Sequence, residues 1–160
     1  MAGFEKSVGI STFENRVRLC VGPAPETGSG RSTRLVRISK LGQVLSDQSG
    51  ELDENIHQIQ EKGITLSDPS KNTIQHTLIP CGLNLKTLAD EFPHISDIVN
   101  EAMRKQDDLL RETITRQYHE YLERFASRQT PSGSEFSRVL FQIEGMAGTI
   151  REIRKSARLL

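Results

Sequence analysis

The last third of the chain carries the most regular apolar pattern. Phe136, Val139, Ile143, Met146, Ile150, Ile153, Ala157 and Leu160 follow one another at alternating steps of three and four. This is an a/d seam, and it predicts a helix over about 134–160 whose apolar stripe packs along another helix. Ser132, three residues before Glu135, has capping-box spacing and predicts where that helix begins. Such a seam closes a bundle within one chain or joins two chains, and spacing alone does not separate these. An aspartate at Ile143 would separate them, leaving a folded, dissociated protein if the seam lies between chains and an unfolded one if it is internal. Gly145 and Gly148 project off the seam. With Phe141 they outline a second face for close approach, or else mark a bend.

A second long helix is predicted over about 96–128, with Ser96 and Asp97 as its cap. Val99, Met103, Leu110, Ile114, Tyr121 and Phe125 recur at steps of four, seven, four, seven and four. That eleven-residue repeat is near the natural helical period and predicts a nearly straight or slightly right-handed stripe. Asp107–Arg111, Glu112–Arg116 and Glu120–Arg124 stand at i, i+4 on the opposite face and read as solvated pairs. Leu35, Ile38, Leu41, Leu45, Leu52, Ile56 and Ile59 predict a further amphipathic helix within 35–62, weakened at Gly42, split at Gly50 and stopped at Gly63.

Elsewhere the pattern is less helical. In RVRLCV (16–21), Val17, Leu19 and Val21 alternate with Arg16, Arg18 and Cys20, which predicts a strand. RLVRI (34–38) fits a second strand or a helix start. Residues 64–83, with β-branched residues on both sides of Ser67-Asp68-Pro69-Ser70, predict extended structure ended by Pro80 and Gly82. The alternative places Asp68 as a helix N-cap with Pro69 behind it. A short helix follows over 85–92, before Pro93. The predicted fold is therefore mainly α, an antiparallel helical bundle or hairpin of long amphipathic helices with a small N-terminal β element. Residues 1–40 read as a basic arm that holds the strand and a flexible Gly/Pro loop (22–33), and residues 41–160 as the helical domain.

Composition bears on what such a bundle does. Apolar residues make up 35% of the 160, with six Phe, two Tyr and no Trp. That is a thin supply for a self-sufficient core and favours burial against a partner. Net charge is zero, but residues 1–40 carry seven cations against three acids, residues 41–101 three against ten, and residues 102–160 eleven against eight. No apolar run approaches the roughly 18 residues of a membrane span. Cys20 and Cys81 are isolated and no secretory leader pattern opens the chain, so free thiols in a reducing, intracellular setting (cytoplasmic or nuclear) are expected.

One stretch imitates a chemical motif. GPAPETGSGRST (22–33) follows an apolar segment and resembles in outline a phosphate-binding loop. Aligning Arg31-Ser32 with the Lys-Ser/Thr end of GxxxxGKS/T puts Pro25 at the first glycine, where a proline has no N–H to give a phosphate. No run of parallel-sheet strands follows, so a nucleotide cradle is rejected and a connector expected. His57, His76, His94 and His119 are scattered, and His119 with Glu123 supplies two metal ligands at most. Cys81 has no local base to activate it. The sequence thus implies no catalytic residue, no cofactor and no metal.

The function these patterns predict is that of a non-enzymatic assembly or scaffold protein. It would form a homo-oligomer or bind a helical protein partner through helical seams, with Phe136, Val139, Ile143, Met146, Ile150, Ile153 and Ala157 as the interaction seam. The alternative is a nucleic-acid-binding module of viral or mobile-element type. Its candidate phosphate contacts are Arg16, Arg18, Arg31, Arg34 and Arg37 on the arm and Arg151, Arg154, Lys155 and Arg158 at the basic end of the last helix. Cations near a helix C-terminus also complement its dipole, and the scarcity of neighbouring aromatics disfavours base stacking.

Overall fold

The structure, a computed structural model, describes residues 15–19, 30–127 and 133–160. Four long helices account for most of these residues: α1 (Gly30–Glu61), α2 (Asp68–Glu91), α3 (Asp97–Ala126) and α4 (Gly133–Arg158). No strand occurs among the described residues. The predicted β element is therefore corrected: residues 15–19 are helical, and 34–38 lie inside α1. Cys20, Val21 and positions 22–29 of the Gly/Pro stretch fall outside the described residues, as does Ser132. Positions 30–33 form the first turn of α1.

Val17 and Arg16 tie the short helix at 15–19 to the rest of the bundle. Val17 is buried in the core. The Arg16 guanidinium donates to the carbonyls of Asp90 at 2.7 Å and Phe92 at 3.2 Å, at the C-terminal end of α2. Cations are favoured at that end of a helix.

The inner face of α1 is a continuous 3–4 seam through Leu35, Ile38, Gly42, Leu45, Ser49, Leu52, Asn55 and Ile59. Gly50 faces outward, where an added Cβ would meet nothing, and it does not split the helix. Gly63 ends the helix at φ +63°. Its N–H bonds the Gln60 carbonyl at 3.1 Å, and the Ile64 N–H reaches back to Ile59 at 3.1 Å. That pairing is a Schellman cap, and the left-handed residue it needs is tolerated best by glycine.

The predicted extended segment at 64–83 is also corrected. Residues 68–91 form one helix, capped by Ser67, whose hydroxyl accepts from the Ser70 N–H at 3.3 Å, with Pro69 in the first turn. Pro80 lies inside it. The buried face of α2 is half polar: Ser70, Thr73 and Thr77 occupy its first half, and Asn84 lies among Cys81, Leu85, Leu88 and Ala89 in the second. The threonines are accommodated by bonding to carbonyls one turn back. Thr77 Oγ1 donates to Thr73 O at 2.8 Å, and Thr73 Oγ1 lies 3.0 Å from both Pro69 O and Gln117 Oε1. Such bonding lets β-branched polar residues occupy a helix interior.

Ser96 caps α3 as expected, its hydroxyl accepting from the Val99 N–H at 3.3 Å. Consecutive helices run antiparallel. Asn55 meets Gln142 and Gln48 meets Thr149 between α1 and α4, and Asp107 meets Arg151 and Tyr118 meets Phe141 between α3 and α4. Among the described helices, α4 packs on the other three, α2 packs on α3, and the backbone of α1 approaches α4 alone.

α4 is consequently buried on several sides. Phe136, Val139, Ile143, Met146, Ile150, Ile153 and Ala157 are each 3% exposed or less, enclosed by the chain's own helices. The heptad seam is thus packed inside the chain's own bundle. Ile143→Ala should lower unfolding free energy by about 3 kcal/mol in a denaturant titration. Ile143→Asp should abolish the cooperative transition rather than leave a folded, dissociated chain.

Candidate functional site

The cations proposed as phosphate contacts are mostly engaged with the protein itself. Arg151 grips Asp107 with two bonds, Nε to Oδ2 at 2.6 Å and Nη2 to Oδ1 at 2.9 Å. Arg154, 7% exposed, donates to Asn100 Oδ1 at 2.7 Å. Arg158 bonds the Ile95 carbonyl at 2.9 Å and the Asp97 carboxylate, and Lys155 pairs with Glu152 at 3.1 Å. From α1, Arg34 donates to the Leu159 carbonyl at 2.6 Å and Arg37 pairs with Glu152 at 3.5 Å. Arg18 and Arg31 are exposed, and neither bonds a described residue through its side chain. The structure thus ties Arg34 and Arg37 of α1 to the end of α4, and Arg151, Arg154 and Arg158 of α4 to α3 or the residue Ile95 just before it, while Lys155 pairs within α4.

Asp107, expected on a solvated face beside Arg111, is 5% exposed and belongs to the α3 seam. Its bidentate hold pushes the Arg151 guanidinium above its ordinary pKa, while burial pushes Arg154 down, opposed by the Asp107 charge. Both stay protonated at any ordinary pH. A cavity of about 10 Å³ adjoins this cluster, lined by Cys81, Asn84, Met103, Leu110, Ala147 and Ile150 besides the charged groups. No group of three or more His, Cys, Asp and Glu able to hold a metal occurs among the described residues.

The larger concavity lies on the opposite side of α4. A groove of about 700 Å³ has α4 as its floor, with Ser134, Ser137, Arg138, Phe141, Gln142 and Gly145. Gln48 and Glu51 of α1 form one wall, and Tyr118, Tyr121 and Leu122 of α3 the other. The groove exists because α1 and α3 each pack on α4 but not on one another. Phe141 is 54% exposed and Leu122 42% exposed at this site. The Tyr118 ring meets Phe141 edge-on at 5.4 Å. Tyr118 is 6.3 Å from Tyr121, which is 6.2 Å from the buried Phe136. A run of four rings thus leads from the core to the groove floor, in the tilted and edge-on arrangements that aromatic pairs favour.

The two glycines off the seam differ. At Gly145 a Cβ would stand 3.3 Å from Gln48 Nε2, so the close approach of α1 accounts for it. Gln48 is held there by Thr149, whose hydroxyl donates to Gln48 Oε1 at 2.8 Å. At Gly148 a Cβ would meet nothing. At the groove's end Ser134 Oγ donates to Glu135 Oε2 at 2.8 Å and holds that carboxyl below the usual range, together with the residue's own N–H. Of the groove residues, Phe141 and Gly145 stood out in the sequence as an off-seam face. Tyr118 and Leu122 did not, because both fall off the apolar stripe of α3. No helix among the described residues is long and apolar enough to cross a membrane.

Removing the Asp107 carboxylate leaves Arg151 uncompensated at 22% side-chain exposure. Asp107→Ala should therefore cost about 3 kcal/mol or more in a denaturant titration, whereas Asp107→Leu with Arg151→Met should recover most of that loss. In acid the ionised Glu135, its pKa depressed by folding, gives up its stabilising contribution as pH falls through that lowered value. Ser134→Ala should raise the Glu135 pKa towards the ordinary carboxylate range in a carbon-detected NMR titration. Compared with protein-family models, with curated proteins and with solved structures, the chain matches none.

Proposed function

We propose that this chain is a non-enzymatic helical assembly protein that associates through the open face of α4, between α1 and α3. Phe141 is the observation that carries the reading. It is a large apolar ring, 54% exposed, at the floor of a groove and braced edge-on by Tyr118. Braced aromatics in concave, partly apolar surroundings are the usual anchors of protein contacts, since they bury much area for little lost side-chain freedom. The groove is bounded by helices on both sides, which suits a helix as its occupant. The heptad seam first read as the association surface lies in the core, so association is assigned to this second face.

The nucleic-acid reading has less support. Seven of its nine cations, Arg16, Arg34, Arg37, Arg151, Arg154, Lys155 and Arg158, bond oxygens of the protein. Arg18 and Arg31 alone would release few counterions from a phosphate backbone.

Light scattering coupled to size exclusion tests the proposal. At high micromolar concentration the wild-type chain should exceed the monomer mass. Phe141→Asp should return it to the monomer with its thermal midpoint shifted by no more than a few degrees. Leu109→Asp, a substitution at a 64% exposed site outside the groove, should leave the mass unchanged. A wild-type protein that stays monomeric throughout would overturn the reading.

A further inference from the structure

Resting on that reading, we infer that the occupant of the open face is α4 of a second copy, lying antiparallel across Phe141. A symmetric pair of this kind requires one stripe to supply both the projecting and the receiving surface. The outer stripe of α4 does so. Phe141 projects from it, and Gly145 and Gly148 follow one and two turns on.

Gly148 is the element the single chain leaves unexplained. Glycine weakens a helix interior relative to alanine, and an added Cβ at this position would have open space. The neighbouring helices do not require its bareness, whereas a second backbone drawn close would. Long helical side chains lean towards their own N-terminus. In an antiparallel pair centred on Phe141, each ring therefore leans over the level at which the other copy presents Gly145, with Gly148 beyond it.

Charge fits the same register. Arg138 stands three residues before Phe141 and Glu144 three residues after it. Both are exposed and neither forms an ion pair with a described residue, although the Arg138 charge also acts on Glu135 one turn earlier. Antiparallel pairing about Phe141 brings Arg138 of one copy level with Glu144 of the other, twice by symmetry. Ser134 comes level with Gly148, and Ser137 with Gly145, so small residues flank the rings. A parallel pair would instead oppose Arg138 to Arg138 and Glu144 to Glu144.

Charge exchange measured by sedimentation equilibrium tests the arrangement. Arg138→Glu alone and Glu144→Arg alone each convert two attractions into two repulsions, so each variant should self-associate about tenfold more weakly than wild type. An equimolar mixture of the two should recover wild-type affinity as a heterodimer, since both of its pairs are then opposite in sign. Gly148→Ala should raise the thermal midpoint of the dilute monomer yet weaken association. If Phe141→Asp dissociates the protein but the mixture is no tighter than the single variants, the antiparallel second copy is overturned while the open-face reading stands. A monomeric wild type overturns both.

Discussion

Each helix of this bundle depends on the contacts that α4 can make. α1 approaches α4 and no other described helix, and the α2–α3 pair is closed by it. Several arcs of one cylinder must therefore be complementary to different neighbours. The face towards the core is aliphatic, through Val139, Ile143, Ile150 and Ile153. The side towards α3 combines Phe136 and Ala147 with Arg151 and Arg154, and the side towards α1 uses Gln142 and Thr149. One arc is left over, and the groove lies there.

The use of polar residues inside these seams explains which elements the sequence disclosed. The helices at 96–128 and 134–160 were legible because their stripes are apolar at most positions. The eleven-residue repeat of α3 was an artefact of counting only those positions. Asp107 and Gln117 fill the gaps, so the packed face runs through Met103, Asp107, Leu110, Ile114, the half-buried Gln117 and Tyr121 at steps of four, three, four, three and four. The same cause hid α2, where Ser70, Thr73, Thr77 and Asn84 occupy buried positions and their branched or polar character mimics a hairpin. Hydropathy cannot register a buried hydroxyl whose partner is its own backbone one turn earlier.

The arginines show the complementary limit. Their clustering near helix ends was visible, but clustering says nothing of what lies opposite, and the acceptors come from distant parts of the chain. Arg151 meets Asp107 and Arg158 meets Ile95 only once α3 and α4 lie antiparallel. A neutral chain with unevenly distributed charge thus becomes a set of cross-helix ties. The off-seam face of α4 was partly legible because exclusion from a regular seam is itself a periodic signal. Its aromatic wall was not, since Tyr118 enters the groove from a helix whose pairing with α4 spacing cannot specify.

The aromatic run between core and groove also has an optical consequence. The chain contains two tyrosines and no tryptophan, so its ultraviolet emission comes from Tyr118 and Tyr121. Both rings line the groove, and both are within about one ring's width of Phe136 or Phe141. The native emission is therefore concentrated at the groove. Any body seated on Phe141 would alter the solvation of half the chain's fluorophores directly and of the other half through the ring stack, making the unlabelled protein an indicator of its own occupancy.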